Sequence, residues 1–241
     1  MNAVLLAAGR GTRMGHLTES TPKPLLPLCG RPIIEHILVG LHDAGVRRVA
    51  IVTGYLGEQI EAHLGDGKRL GLRLDYRRQT QPNGTAKALL LVRDLLDGNP
   101  FLLSWGDIVV DRGEYAALLR RFDESPCDAM LSVNATDDPW RGAAVTIDAG
   151  GRVQSLVEKP PRGTAQTRWN NAGIFVFTNL IFSYAERLEP SERGEYELPQ
   201  AIAAMIAEGH NVGAHPITGF WSDLGTPEDL AAAGEALGTK T

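Results

Sequence analysis

Short apolar runs at residues 4–8, 49–53 and 101–105 constrain this chain more than any other feature. A strand with no polar face must be covered on both sides, which is the condition of strands in a parallel sheet flanked by helices. Between the runs, Ile33, Ile34, Ile37, Leu38 and Leu41 recur with helical spacing. Residues 57–64 read as a short helix, 72–76 as a strand and 85–96 as a helix. This alternation predicts an α/β fold: a mixed, mostly parallel central sheet with helices on both faces. Beyond about residue 125 the pattern turns antiparallel. Residues 128–135 and 172–177 read as strands, and 143–147 and 152–158 flank an Asp148-Ala149-Gly150-Gly151 turn as a hairpin. Residues 197–208 form an amphipathic helix. A last helix starts with Thr226 as its cap, Pro227 at its first position and Glu228 and Asp229 in its first turn. No repeat, low-complexity tract or linker interrupts the series, so residues 1–241 are expected to form one domain with halves at 1–125 and 126–241.

The net charge is −5 with no run of Lys or Arg, which argues against DNA or RNA as a partner, since phosphate backbones are tracked by clustered cations. Small phosphorylated ligands need only a few placed cations. Cys29 and Cys127 are far apart and outside any CxxC pattern, so they are expected to be buried packing residues in a reducing compartment. The apolar stretch at residues 3–8 lacks a preceding basic region, and no segment has the length of a membrane span. A cytoplasmic protein with no membrane partner is the expectation. The six histidines show no paired ligand spacing.

In open α/β sheets ligands bind beyond the carboxyl ends of the strands. The chemically suggestive residues lie there: after Ala8, at Gly106-Asp107, at Glu158-Lys159 and at Asp223. The first strand leads into Leu6-Ala7-Ala8-Gly9-Arg10-Gly11-Thr12-Arg13-Met14. Glycines there let backbone N–H groups approach phosphate oxygens, and Arg13 adds a permanent planar cation. The loop is not a Walker A sequence, and its glycines at 9, 11 and 15 miss the dinucleotide fingerprint by one residue. Pro22, Pro24 and Pro27 keep the chain irregular until about residue 32, and two of them fix the backbone around Lys23.

The ordered set LAAGRGTRM, PKPL, Gly54-Tyr55-Leu56-Gly57-Glu58-Gln59-Ile60, Gly65-Asp66-Gly67, Gln79-Thr80-Gln81-Pro82-Asn83-Gly84-Thr85-Ala86, Gly106-Asp107, Val157-Glu158-Lys159-Pro160, Asn171-Ala172-Gly173 and Trp221-Ser222-Asp223-Leu224-Gly225-Thr226-Pro227 resembles the sugar-1-phosphate nucleotidyltransferases. It covers nearly the whole chain. The resemblance implies a Rossmann-like nucleotidyltransferase fold, with residues 1–125 as the nucleotide-binding half and 126–241 as the sugar-phosphate-binding half. It implies that Leu6, Ala8, Gly9, Gly11, Thr12 and Arg13 hold the triphosphate. Gln79, Gly84 and Thr85 face the base, and Lys23 sits against a reacting phosphate. Asp107 and Asp223 match the metal-binding aspartates, for Mg²⁺. Gly106, Glu158, Lys159, Asn171, Gly173 and Glu197 match the sugar-phosphate pocket, with Arg13, Lys23 and Lys159 as the catalytic cations. Trp105 departs from the family's usual small aliphatic residue and is expected to fill core rather than to form the pocket floor.

The implied reaction is in-line attack of a sugar phosphate oxygen on the α-phosphorus of a nucleoside triphosphate, giving a nucleotide sugar and pyrophosphate. Two anions must meet, so charge neutralisation dominates, and Mg²⁺ takes one or two carboxylates plus phosphate oxygens. The nucleophile is already an anion and needs no general base. The Gln79 amide, able to donate and accept together, favours UTP or dTTP and leaves GTP open. Two alternatives stand beside this reading: a cytidylyltransferase for a phospho-alcohol such as phosphocholine, and a non-catalytic nucleotide-sugar sensor. Members of the family are often dimers or tetramers, which makes a homo-oligomer compatible with the resemblance.

Overall fold

The computed structural model describes residues 1–238; the end of the expected 1–241 domain lies outside the described residues. In chain order the elements are β1 (Asn2–Ala7), β2 (Pro27–Leu28), β3 (Arg31–Pro32), α1 (Ile33–Asp43), β4 (Arg48–Thr53), α2 (Gly57–Leu64), β5 (Arg73–Arg78), α3 (Thr85–Leu90), β6 (Phe101–Trp105) and β7 (Ile108–Val110). There follow α4 (Gly113–Glu124), β8 (Ala129–Ala135), β9 (Ala143–Ile147), β10 (Val153–Glu158), β11 (Trp169–Phe177), α5 (Leu180–Arg187), α6 (Leu198–Ala207), β12 (Val212–Pro216), β13 (Trp221–Asp223) and α7 (Pro227–Gly238).

Nine strands form one mixed sheet in the order β10-β9-β11-β6-β1-β4-β5, with β8 pairing both β11 and β12. β1 lies between β4 and β6 and is parallel to both. The chain steps from β1 to β4 and β5 on one side, then returns to β6 on the other, so the strand order reverses beside β1. That switch opens a crevice at the carboxyl ends. β11 joins the parallel block to the antiparallel one through antiparallel pairs with β6, β8 and β9. Its register shifts between Asn171 and Phe175.

The apolar run of β1 is explained by its two neighbours in depth. Ala3, Leu5 and Ala7 face one core with α1 and α4, whereas Val4 and Leu6 face a second core with α3, α5 and α6. The second core is aromatic, with Phe175 and Phe177 stacked at 5.3 Å between centroids and the edge of Trp105 on Phe175 at 5.7 Å.

Several expectations are refined. The helix expected over residues 85–96 ends at Leu90. Beyond it Leu91, Val92 and Leu95 donate to the carbonyls of Ala88, Leu89 and Val92, so the apolar spacing persists while the backbone tightens to three-residue turns. Cys29 is exposed rather than buried, and both cysteines are free. Cys29 and Gly30 form the two-residue turn between β2 and β3 with φ of 48° and 74°, the left-handed pair that a tight hairpin demands. The cap of α7 is reciprocal: Asp229 N–H donates to Thr226 Oγ1, and the Asp229 carboxylate accepts from Thr226 N–H and Oγ1. No helix among the described residues is long and apolar enough to cross a membrane.

Candidate active site

A cleft of about 480 Å³ opens at the carboxyl ends of β1 and β6. Its walls at β1 need glycine for steric reasons. A Cβ on Gly106 would stand 2.8 Å from the Leu6 carbonyl oxygen, and one on Gly54 only 2.4 Å from that of Ala8. The strand therefore exits between two residues without side chains, and the loop after Ala8 starts at the cleft. Leu6, Ala8, Gly9, Gly11, Thr12 and Arg13 all line it. The loop is ordered from within: Met14 is fully buried, and the Thr18 hydroxyl donates to the carbonyls of Gly11 and Gly15.

Lys23 is 6% exposed, and its ammonium donates to the Asp107 carboxylate at 2.7 Å. A Cβ on Gly11 would lie 3.0 Å from the Lys23 Cβ, so the loop packs directly on the lysine stem. Asp107 and Asp223 are brought together by a two-stranded ribbon, in which β13 pairs with β7 and Asp223 stands opposite Ile108. Leu224 N–H then donates to the Asp107 carbonyl at 3.0 Å. Burial, then the charge of Asp107, push the Asp223 carboxyl up to about 6, while Lys23 and Arg13 pull it back. Arg13 reaches this corner because residue 225 is glycine; a Cβ there would be 3.0 Å from the Arg13 Nη1. A further cation in the crevice would favour the ionised form of Asp223 beside Asp107. Their hard oxygen donors fit Mg²⁺, with phosphate and water to complete the shell. Among the described residues no group of three or more His, Cys, Asp or Glu is placed to hold a metal ion by itself.

Gln79, Gly84 and Thr85, expected to face the base, line the cleft as well. The Gln79 amide nitrogen donates to Asn83 Oδ1 and to the Gly84 carbonyl, both at 3.1 Å. The Gly84 carbonyl can only accept, which fixes the amide's orientation and leaves its oxygen as an acceptor. Gly84 has φ of 110°, and a Cβ there would meet the Tyr196 carbonyl oxygen at 2.3 Å. Thr85 Oγ1 accepts from Leu198 N–H at 2.9 Å and so caps α6 from across the molecule.

The predicted sugar-phosphate residues form a second group. Glu158, Lys159, Asn171, Gly173 and Glu197 are not among the residues lining the 480 Å³ cleft, whereas Gly106 is. Glu197 is buried and accepts from Ser191 Oγ at 2.8 Å and from Arg193 Nη2 at 2.7 Å. Arg193 also reaches Glu158 at 3.5 Å. Burial and the Glu197 charge raise the Glu158 carboxyl above its ordinary range. Lys159 is exposed beside it, at φ of 44°. Asn171 turns its Oδ1 to Gly173 N–H at 3.1 Å, and its buried Nδ2 has no partner, a donor available to a ligand. Gly173 has φ of 80°, and a Cβ there would lie 2.6 Å from the Trp105 ring. Trp105 is only partly buried: it packs against the core and also lines the cleft, where core alone was expected.

Arg193 and Glu195, both lining the cleft, were not singled out from sequence. The signal was the charged run 192–197 around Gly194, with Arg193 four residues before Glu197. The structure gives Arg193 its place by tying it to Glu197 and Glu158.

Comparison with known proteins bears on this arrangement. The family model for nucleotidyl transferases matches residues 2–240. The UTP–glucose-1-phosphate uridylyltransferase AglF of Haloferax volcanii is 36% identical over 249 residues, covering 100% of this chain and 98% of that protein. The low-salt glycan biosynthesis nucleotidyltransferase Agl11 of the same organism is 31% identical over 98% of this chain, which spans 66% of Agl11's length. A Bacillus anthracis crystal structure described as a glucose-1-phosphate thymidylyltransferase, in complex with sucrose, superimposes with a TM-score of 0.88 at 27% identity, covering 98% of this chain and 95% of that one.

Proposed function

The chain belongs to the nucleotidyl transferase family, and from that premise we propose that it joins a nucleoside triphosphate to a sugar 1-phosphate, with release of pyrophosphate and assistance from Mg²⁺. The observation that carries the reading is the meeting of Lys23, Asp107, Asp223 and Arg13 beside the glycine loop. Two aspartates and two cations at the end of β1 suit the joining of two anions and little else.

In this reading the loop amides from Gly9 to Arg13 receive the triphosphate and Arg13 offsets its charge. An acceptor phosphate oxygen forms a bond to the α-phosphorus while the bond to the pyrophosphate oxygen breaks. Negative charge moves onto the leaving oxygens, which the cations of this corner stabilise. Mg²⁺, held by Asp107 and Asp223, would supply further charge neutralisation. Lys23, held by Asp107 at 2.7 Å beside the loop, supplies a second cation for a reacting phosphate. No side chain accepts a proton.

Gln79 supports a choice of base. With its nitrogen committed, its oxygen accepts from an N–H, as at N3 of uracil or thymine or N1 of guanine. Cytosine and adenine present an acceptor at the corresponding edge. UTP and dTTP are the favoured donors, GTP fits the same contact, and the cytidylyl alternative is disfavoured. On the acceptor side, Glu158 and the unpartnered Asn171 Nδ2 suit hydroxyls of a sugar, while Lys159 and Arg193 suit its phosphate. The names of AglF and the Bacillus protein point to glucose 1-phosphate as the first acceptor to test. The proposal places the enzyme in the cytosol with its soluble substrates.

Pyrophosphate release measured across ATP, CTP, GTP, UTP and dTTP, against hexose and hexosamine 1-phosphates and phosphocholine, tests this directly. Release should require UTP or dTTP together with a sugar 1-phosphate, stop with EDTA and return with Mg²⁺. Release only from CTP with phosphocholine would overturn the acceptor and the base. No release from any pair, with nucleotide still bound, would favour a nucleotide-sugar sensor.

A further inference from the structure

The segment Gly54-Tyr55-Leu56-Gly57-Glu58-Gln59-Ile60 takes no part in the chemistry above, yet it grips the glycine loop in three places. At the loop's entrance, Tyr55 N–H donates to the Ala8 carbonyl at 3.4 Å, and Gly54 lies so close under Ala8 that no Cβ fits. Within the loop, the Arg10 guanidinium lies 5.3 Å from the centroid of the Tyr55 ring. At its exit, the Tyr55 hydroxyl donates to the Glu19 carbonyl at 2.9 Å and Gln59 Nε2 donates to the Ser20 carbonyl at 3.0 Å. Leu56 holds a left-handed φ of 50° to make the turn into α2. A branched side chain tolerates that conformation only where its surroundings fix it. Here Gly57 packs against Thr53, with room for no Cβ, so the turn is built into the end of β4.

We propose that Tyr55 and Gln59 are positioning residues that hold residues 9–21 in the conformation that receives the triphosphate. The idea rests on the nucleotide-binding reading of that loop. Its physical basis is that ordering a loop costs conformational entropy, and a loop ordered beforehand spares the ligand that cost. Both partners of the clamp are backbone carbonyls, so their acceptance of these bonds depends on loop position and not on loop side chains. The parallel block of the sheet thereby sets the loop's shape from a strand that does not line the cleft.

The test compares the wild-type protein with the variant carrying Tyr55→Phe and Gln59→Ala. Both residues are half-buried at the surface, and the phenyl ring keeps the Arg10 contact. Hydrogen–deuterium exchange on the ligand-free proteins reads the clamp itself. Amides of residues 9–21 should exchange about fivefold to tenfold faster in the variant, from the loss of two hydrogen bonds, with the β6 and β11 amides unmoved. In steady-state assays with UTP and glucose 1-phosphate, KM for UTP should rise about fivefold to tenfold while KM for the acceptor holds. Restoring Tyr55 alone should recover part of each change. Unchanged exchange in 9–21 would overturn the proposal, as would faster exchange spread across the sheet. Faster exchange with an unmoved KM for UTP would also overturn it, leaving the clamp merely structural. If UTP supports no turnover, the function proposed above fails separately, and the exchange experiment decides the clamp alone.

Discussion

The two ends of the candidate site are built in opposite ways. At the β1 end, positive groups lead. Arg13 and Lys23 stand on one continuous stretch of chain, with backbone amides between them and two aspartates delivered from elsewhere. At the β10 and β11 end, carboxylates lead. Glu158 and Glu197 face each other, and Arg193 bridges them. In the proposed reading the first end meets a polyanion; its two aspartates lie close together, and burial and the Asp107 charge raise the Asp223 carboxyl against the pull of Lys23 and Arg13. In the same reading the second meets hydroxyls and one phosphate; a single guanidinium ties its two glutamates, and burial and the Glu197 charge still raise the Glu158 carboxyl. The lesson is that the first end should govern the rate and the second should govern acceptor affinity and local stability.

The sharpest way to break this division is Lys23→Ala. Loss of one preorganised cation should lower kcat by about 100-fold, with the acceptor KM little changed, as read by pyrophosphate release. An effect on acceptor KM alone would erase the distinction between the ends. Next in size is Arg193→Ala, which removes the cation shared by two carboxylates. Thermal denaturation should show a loss of about 1–2 kcal/mol at pH 7.5, given that Arg193 is half-exposed, and the acceptor KM should rise about tenfold. The sign of its pH dependence follows from the carboxylates. Without Arg193 the Glu158 carboxyl, already raised by burial and the Glu197 charge, lies further above its unfolded value, so stability is lost as pH rises through it. The deficit should therefore shrink toward pH 4. A drop in kcat as large as that of Lys23→Ala would merge the two ends into one. The smallest effect is expected for Glu158→Gln. Burial and Glu197 already raise the Glu158 carboxyl, so its ionised form carries a penalty in the folded protein above the ordinary carboxylate range. Removing that charge should leave stability unchanged or raise it by a few tenths of a kcal/mol at neutral pH. The gain should vanish below about pH 4. A clear loss of stability would mean that the contact with Arg193 outweighs the repulsion.

The same contrast explains what could be read from sequence. The β1 end was legible because its residues are neighbours in the chain, and their neighbours are glycines and prolines whose backbone demands are strong. β6, α2 and the capping of α7 were found for similar local reasons. The other end was only half legible. Glu158 and Asn171 sit on strands with clear patterns, but Arg193 lies in an irregular turn whose meaning comes from tertiary contact. The ribbon of β7 with β13 is three residues on each side, too short for periodicity to register. The helix α4 was passed over although Tyr115, Leu118, Leu119 and Phe122 carry its apolar stripe, because Arg and Glu residues dilute it. β12 ends in Pro216, a residue that demotes a strand from sequence but is tolerated at the margin of a sheet.

That short ribbon also fixes an order of events during synthesis. Asp107 is translated early and lies on the completed parallel block, but its partner arrives only when residues 221–223 leave the ribosome and pair with residues 108–110. The paired carboxylates therefore come last, and no partial chain that stops short of residue 221 has both of them.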